Sequence, residues 1–197
     1  VERFDREVGE IIKKLKEMNE FDNTIVVITG DHGMPFPRCK SNLYDMGVRV
    51  PLAISWTAKI KNKGRIIDDF VSLIDLAPTF LESAGLPIPK EMNGKSLIKT
   101  FSSEKSEDIN DRRNFILKGK ERHVQDQEAQ NQGGYPSRAI RNHNFLLIWN
   151  IEPNRWPAGT PNASGNVTIL ITSGVTDVFQ DAEKIFYDAV AANILSL

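Results

Sequence analysis

Two side chains that often bind metals, Asp31 and His32, lie between glycines in the segment Gly30-Asp31-His32-Gly33. A carboxylate beside an imidazole is a common pair of ligands for a divalent cation. The flanking glycines allow the backbone to approach a ligand closely. Asp and Gly are also typical of turns that follow a strand. From these four residues alone, a metal site and an ordinary turn are both compatible with the sequence.

The elements that precede this segment favour an α/β domain. Apolar residues recur at three- and four-residue steps over residues 4–18, which predicts an amphipathic helix. The β-branched run at residues 24–29 predicts a strand buried on both faces, as in a parallel sheet covered by helices. Ligands bind beyond the carboxyl ends of strands in open α/β sheets, so Asp31 and His32 occupy a favourable place for chemistry.

The rest of the chain alternates between short strands and helices. Residues 49–56 and 115–117 predict strands, and residues 72–84 predict a helix that Gly85 terminates. The turn Asn142-His143-Asn144 predicts a hairpin. Residues 119–134 form a long polar loop, and loops of that length are usually functional or disordered. A strand at residues 167–172 and an amphipathic helix at residues 178–190 are predicted near the end.

The composition excludes several classes of protein. The chain has 197 residues, of which 40% are hydrophobic and 26% charged, and its net charge is -1. This balance indicates neither a nucleic-acid partner nor an anionic membrane. No apolar run reaches the roughly 20 residues of a membrane span. The single cysteine, Cys39, excludes an intrachain disulfide. No signal peptide is visible, although the sequence begins at Val1 rather than Met, and the oligomeric state stays open.

Four segments together resemble the sulfatase family of the alkaline-phosphatase-like superfamily. They are residues 23–33 (NTIVVITGDHG), 40–52 (KSNLYDMGVRVPL), 71–87 (VSLIDLAPTFLESAGLP) and 93–97 (NGKSL). Their order and spacing agree with the family over residues 1–101, and several motifs together are more specific than one. Residues 34–37, 119–123, 135–141 and 154–159 are similar to the heparan N-sulfatase, or sulfamidase, branch.

The resemblance implies a fold and a domain organisation. We expect an α/β protein containing a partial alkaline-phosphatase-like mixed sheet flanked by helices, with a smaller antiparallel C-terminal part. Residues 1–101 would form the C-terminal part of the sulfatase catalytic domain. Residues 102–197 would form a small α+β region that carries a substrate-side loop at residues 119–134.

The resemblance also implies roles for particular residues. Asp31 and His32 match ligands of a divalent cation, which is commonly calcium, although His suits manganese or zinc better. Lys40 matches the basic residue that grips the sulfate, where a cation would offset charge in the transition state. An exposed loop lysine is the alternative interpretation of Lys40. Three further residues are candidates to line the substrate pocket, or else belong to an ordinary polar loop: Glu121, Arg122 and His123.

The nucleophile that the resemblance implies is absent from the sequence. Sulfatases use Cys or Ser in the pattern Cys/Ser-x-Pro-x-Arg, oxidised to formylglycine, and Cys39 lacks the Pro and Arg. The formylglycine is therefore expected upstream, and we expect this chain alone to be inactive. The intact protein would hydrolyse a sulfate ester or N-sulfate of a small molecule or glycosaminoglycan sugar. Family resemblance implies a periplasmic, secreted or lysosomal location.

Two other functions remain open. Phosphodiesterases and pyrophosphatases of the same superfamily also carry an Asp-His-Gly-Met sequence like residues 31–34, with zinc and a Thr or Ser nucleophile. Lys40 and residues 42–52 argue against them. The second alternative is a non-catalytic, truncated binding protein that retains the fold.

Overall fold

The computed structural model describes residues 1–36, 38–106, 109, 113–121 and 135–154. The chain forms two compact units. The first consists of Val1–Gly30 and Pro51–Asn114, and the second consists of Asp31–Val50 and the chain from Phe115 onward. The predicted metal-binding segment thus belongs to the second unit, whereas the strand before it belongs to the first. The division at residue 101 that the sequence suggested stays a prediction.

The first unit begins with helix α1, Glu2–Glu17, as the apolar periodicity predicted. Glu2 and Asp5 in the first turn and Lys14 and Lys16 in the last complement the helix dipole. None of its residues is buried, and Phe4 and other large apolar side chains of the helix are exposed. Its apolar face is partly covered by the described residues, with Val8, Ile12 and Leu15 half-buried.

Two short strands follow, and their pairing differs from the prediction. Strand β1, Val26–Thr29, pairs antiparallel with β2, Leu52–Ser55, in a two-stranded sheet. The sequence predicted a β1 buried on both faces of a parallel sheet, but its residues are half-buried or exposed. Within the described part of the chain that prediction is wrong, because a β-branched run shows that a strand forms without showing which partner covers it.

The core of the first unit lies beside the second predicted helix. A 3-10 turn at Leu73–Asp75 leads into helix α3, Leu76–Ser83, and Gly85 follows with φ of 71°, which confirms the predicted glycine stop. Helix α4 spans Ile98–Ser102. Its Phe101 packs edge-to-face on Trp56, with ring centroids 6.3 Å apart. Leu97 completes this buried cluster.

Asp75 is the most extensively bonded carboxylate of the first unit. Only 1% of it is exposed, and it accepts hydrogen bonds from the backbone amides of Ser72 and Lys95, each at 2.8 Å. Arg113 approaches both carboxylate oxygens, with Nη2 2.8 Å from Oδ1. Asp75 occupies the N-cap position of α3 without a side-chain cap hydrogen bond, and its side chain ties the 3-10 turn to two distant segments.

The second unit contains a three-stranded antiparallel sheet in the order β3-β4-β5. The strands are Phe115–Lys120, Ser137–Asn142 and Leu146–Asn150, and a short helix, α2, spans Asp45–Val48. Strands β4 and β5 form the predicted hairpin, and the predicted antiparallel C-terminal part is confirmed. Strand β3 runs three residues further than predicted, to Lys120.

Several predictions concern residues outside the described part of the chain. The strand at residues 167–172 and the helix at residues 178–190 lie there, as does most of the loop at residues 119–134. Over the residues that are described, no helix combines the length and apolar character that crossing a bilayer requires.

Candidate metal and anion site

The segment after β1 exposes both candidate metal ligands. The side chain of Asp31 is 86% exposed and that of His32 is 44% exposed. Nδ1 of His32 lies 2.9 Å from the carbonyl oxygen of Gly33. A carbonyl only accepts hydrogen bonds, so Nδ1 donates here, and Nε2 is the ring nitrogen that faces Asp31. A metal-binding histidine needs this tautomer when it coordinates through Nε2.

Nε2 of His32 and Oδ2 of Asp31 lie close enough together to face one bound ion. Nε2 lies 3.3 Å from Oδ2 of Asp31. A cation bound at about 2.0–2.5 Å from each ligand has neighbouring ligands separated by roughly this distance. Among the described residues, no group of three His, Cys, Asp or Glu side chains could hold a metal. The pair therefore fits a divalent cation chemically but supplies only two of the ligands such an ion needs.

Two glycines bring this segment against helix α2. The amide of Gly33 donates to the carbonyl of Gly47 at 2.9 Å. A Cβ on Gly33 would lie 2.7 Å from the Cα of Gly47, and a Cβ on Gly47 would overlap the carbonyl oxygens of Cys39 and Asn42. Both positions therefore require a residue without a side chain. The approach holds the metal segment, α2 and the loop that carries Lys40 in one arrangement.

The Lys40 loop consists of residues 34–36 and 38–42 in the described chain. The amide of Lys40 donates to the carbonyl of Met34 at 2.9 Å, and the amide of Asn42 donates to Cys39 at 3.0 Å. Arg38 and Ser41 have φ of 61° and 67°, a conformation that costs a non-glycine residue about 1 kcal/mol or more. Lys40 itself is exposed. The backbone is thus strained on both sides of the exposed Lys40.

Strand β3 contributes two lysines on one face, because residues 118 and 120 are two apart. Nζ of Lys118 lies 3.2 Å from Oδ1 of Asp45, whose Oδ2 also accepts from Nε of Arg141 at 3.0 Å. Nζ of Lys120 donates to the carbonyl of Ser41 at 2.9 Å. The sheet is therefore joined to α2 through a carboxylate and to the Lys40 loop through a backbone carbonyl.

These contacts shift the pKa of three groups. Burial alone would raise the pKa of Asp45, but hydrogen bonds from Arg141 and Lys118 together hold it below its usual value. Burial, together with the nearby positive charge of Arg141, lowers the pKa of Lys118 more than its partner Asp45 raises it. Burial also lowers the pKa of Lys120. The carboxylate thus has two cationic partners, while both lysines are held partly out of water.

The described residues of the second unit carry an excess of positive charge. Its described residues include seven Lys or Arg side chains and four Asp or Glu side chains, whereas the complete sequence has a net charge of -1. A local excess of cations beside exposed Lys40 favours an anionic ligand. The near-neutral balance of the whole sequence concealed this local charge.

The predicted site residues have different outcomes. Asp31, His32 and Lys40 lie in one connected segment of the second unit, while their roles as metal and sulfate ligands stay predictions. Glu121 immediately follows β3, is exposed and forms an ion pair with Arg138. The other two candidates, Arg122 and His123, lie outside the described residues. The resemblance places all three on the substrate side, and that stays a prediction too.

The sequence analysis did not predict the structural contacts that Asp45, Gly47, Lys118 and Lys120 make around α2 and the Lys40 loop. The alternation of Lys118 and Lys120 would have been visible had the predicted strand continued beyond Leu117, since alternate residues of a strand share a face. The glycine contact had no comparable signal, because Gly33 and Gly47 meet only in three dimensions.

The comparisons with known proteins identify a family. A family model described as N-sulphoglucosamine sulphohydrolase, C-terminal, matches residues 30–148. Human N-sulphoglucosamine sulphohydrolase is 28% identical over 160 residues, which cover 77% of this chain and 30% of that protein. The chain thus spans about a third of the length of this relative.

Two solved structures bear on the fold. One is a protein in complex with its substrate D-glucosamine-2-N,6-O-disulfate, at 28% identity and a TM-score of 0.63, covering 73% of this chain and 28% of that one. The other is a 2-O GAG sulfatase, at 19% identity and a TM-score of 0.63, covering 97% of this chain and 40% of that one. They confirm the predicted alkaline-phosphatase-like α/β class. Because the family model matches more than half of the chain, the chain belongs to the sulfatases, in the family described as N-sulphoglucosamine sulphohydrolase, C-terminal.

Proposed function

We propose that the protein to which these residues belong hydrolyses the N-sulfate or a sulfate ester of an amino sugar, of the kind found in glycosaminoglycans. The observation that carries the proposal is the connected arrangement of Asp31, His32 and Lys40 in a family of sulfatases. Two similarities support the sugar: the human relative by its name, and the solved structure by its bound substrate.

In this proposal, Asp31 and His32 hold a divalent cation. The family resemblance favours calcium, whereas a histidine ligand favours manganese or zinc. Bound there, the cation would polarise the sulfate oxygens. The proton on Nδ1 of His32 keeps Nε2 available as a ligand. Exposure of both side chains leaves room for the further ligands that the ion requires.

Lys40 would place its ammonium against the sulfuryl oxygens. As the S–N or S–O bond breaks, negative charge accumulates on those oxygens, and a fixed cation stabilises it. The amine or alcohol that leaves takes up a proton, and water supplies the oxygen that completes inorganic sulfate. We assign Glu121, Arg122 and His123 to the substrate side, with His123 as the proton donor. Support comes from β3, whose last residue contacts the Lys40 loop directly before Glu121.

The nucleophile of this reaction would come from residues outside the chain, as a formylglycine. Inside the chain, Cys39 is 6% exposed and is followed by Lys40-Ser41-Asn42 rather than by the required Pro and Arg. We further propose a location in the periplasm, the lysosome or the exterior of the cell, where sulfated polysaccharides occur.

The test measures sulfate release by the natural full-length protein from N-sulfoglucosamine and from glucosamine 6-sulfate, with calcium, manganese or zinc restored after chelation. Lys40→Met and Asp31→Asn should each lower kcat/KM about 100-fold or more, the usual cost of removing one group that stabilises transition-state charge. Lys59→Met, an exposed lysine of the other unit, is the matched control. Cleavage of a phosphodiester without sulfate release would instead support a phosphodiesterase, and metal binding without any turnover would support a binding protein.

A further inference from the structure

Lys120 places a partly buried ammonium against the backbone of the Lys40 loop. Its ammonium lies on β3 and donates to the carbonyl of Ser41 at 2.9 Å, and among the described residues it forms no ion pair. Removing an ammonium from water without a carboxylate partner is costly. Burial accordingly lowers its pKa. Among the described residues, the hydrogen bond to the Ser41 carbonyl is what replaces water at this ammonium.

The carbonyl that Lys120 contacts belongs to a strained turn. Ser41 has a positive φ and directly follows Lys40, while the amide of Lys40 is already bonded to Met34. Strained conformations persist only where surrounding contacts hold them. The amide bond to Met34 holds the chain at Lys40 itself, and the ammonium of Lys120 holds the carbonyl one residue later.

A neighbouring lysine provides an internal comparison. Lys118 lies on the same face of β3, but its ammonium pairs with Asp45 on helix α2. The two lysines share a strand, a face and partial burial, and they differ in what they hold. Lys118 joins the sheet to a helix, whereas Lys120 joins it to the loop that carries Lys40.

We infer that Lys120 is a positioning residue for Lys40: by donating to the Ser41 carbonyl, it holds the left-handed turn in the form that presents the Lys40 ammonium. This inference rests on the proposed function, in which Lys40 grips the sulfate. Lys120 does not touch the substrate in this arrangement. Its contribution to kcat is transmitted through the backbone of residues 40 and 41. That contribution should therefore disappear when the Lys40 side chain is absent.

A double-mutant cycle in the natural full-length protein tests this dependence. The variants are Lys120→Met, Lys40→Met and the double mutant, with sulfate release from N-sulfoglucosamine as the assay and rates corrected for the folded fraction. Lys120→Met should lower kcat on the order of tenfold with KM nearly unchanged, since it weakens transition-state stabilisation rather than binding. In the Lys40→Met background the same substitution should change kcat less than about twofold. Equal effects in both backgrounds would overturn the inference and leave the proposed function intact.

Lys118→Met is the matched control. It removes the same side chain from the same face of the strand, and we expect a lower melting temperature with kcat/KM retained within about threefold. A loss of kcat as large as that of Lys120→Met would overturn the specific role of Lys120. If Lys120→Met does not fold, Lys120→Gln, whose amide is too short to reach Ser41, replaces it in the same cycle with the same criteria.

Hydrogen exchange distinguishes failure of the inference from failure of the proposed function. If Lys40→Met leaves turnover unchanged, the assigned role of Lys40 is wrong, and the exchange rates of the Lys40 and Asn42 amides then decide the role of Lys120. Both amides are hydrogen-bonded within the loop. Faster exchange in Lys120→Met but not in Lys118→Met would support the positioning contact. Unchanged exchange in both variants would overturn it.

Discussion

At the scale of single residues, Gly47 imposes a strict requirement on the candidate site. A methyl group there would overlap two backbone carbonyl oxygens of the Lys40 loop, and one of them, that of Cys39, already accepts the hydrogen bond from the Asn42 amide. Gly33 faces it with a similar restriction. The geometry of Lys40 therefore depends on an absent side chain as much as on the hydrogen bonds that are present.

Gly47→Ala should accordingly lower the free energy of unfolding by about 2 kcal/mol or more, because overpacking against backbone has no inexpensive relaxation. Urea denaturation followed by circular dichroism measures the change. Gly9→Ala is the control. It lies in helix α1 with open space around it, so it should stabilise the protein by roughly 0.5–1 kcal/mol. Equal stability of wild type and Gly47→Ala would contradict the close approach.

Asp45 should make stability depend on pH. Burial opposes its ionisation, but Arg141 and Lys118 hold its pKa below the usual value of about 4. A depressed carboxyl pKa contributes stability that is complete above the unfolded-state pKa and is lost as the pH falls through the folded-state pKa. Asp45→Asn should therefore flatten the fall in melting temperature below about pH 5. Asp22→Asn, an exposed carboxylate, should not, and identical acid profiles for wild type and Asp45→Asn would contradict the assignment.

At the scale of elements, the start of helix α3 is anchored by a buried ion pair. Asp75 accepts from two backbone amides and from Arg113, which lies 38 residues away in the sequence. Removing one member of an ion pair this deeply buried is costly, because the charge of the remaining member is left uncompensated.

Arg113→Met should destabilise the protein by about 3 kcal/mol or more, since it leaves the carboxylate of Asp75 buried without its cation. Arg3→Met makes the same chemical change in an exposed pair with Glu7, where solvent screening leaves little to lose. Thermal melts of both variants give the comparison. A loss in Arg113→Met no larger than in Arg3→Met would show that the pair is not needed.

The elements also show what the sequence could predict and why. Local patterns were sufficient for helix α1, for the glycine that ends α3 and for the β4–β5 hairpin, because each is encoded by neighbouring residues. Three contacts join residues that lie roughly 20 to 80 positions apart along the chain. They are the pairing of β1 with β2, the ion pair of Asp75 with Arg113, and the hydrogen bond from Lys120 to Ser41. No periodicity records such contacts, so only the resemblance to a family placed Lys40 beside the metal motif in advance.

At the scale of the whole molecule, our proposal divides the chemistry between this chain and residues outside it. Among the described residues the metal motif offers two ligands, and the sequence contains no Cys/Ser-x-Pro-x-Arg nucleophile. Positive charge, in contrast, is concentrated in the described part of the second unit. In our proposal, the chain therefore contributes to binding the anion and not to attacking it.

Residues 1–197 expressed alone should not release sulfate from an aryl sulfate or from N-sulfoglucosamine in the presence of calcium. The reason is chemical, since neither the nucleophile nor a complete metal site is supplied by the chain. The natural full-length protein, assayed in parallel, is the control for substrate and metal. Turnover by the isolated chain above the uncatalysed rate would show that the catalytic group has been assigned to the wrong place.

The burial of Cys39 gives the molecule a built-in reporter. It is the only cysteine in the sequence, it is 6% exposed, and it directly precedes Lys40. A thiol reagent reaches such a sulfur only when the surrounding loop opens, so the rate of its alkylation measures how often that opening occurs. The mobility of the segment that presents Lys40 can thus be followed in the wild-type protein, without any engineered label.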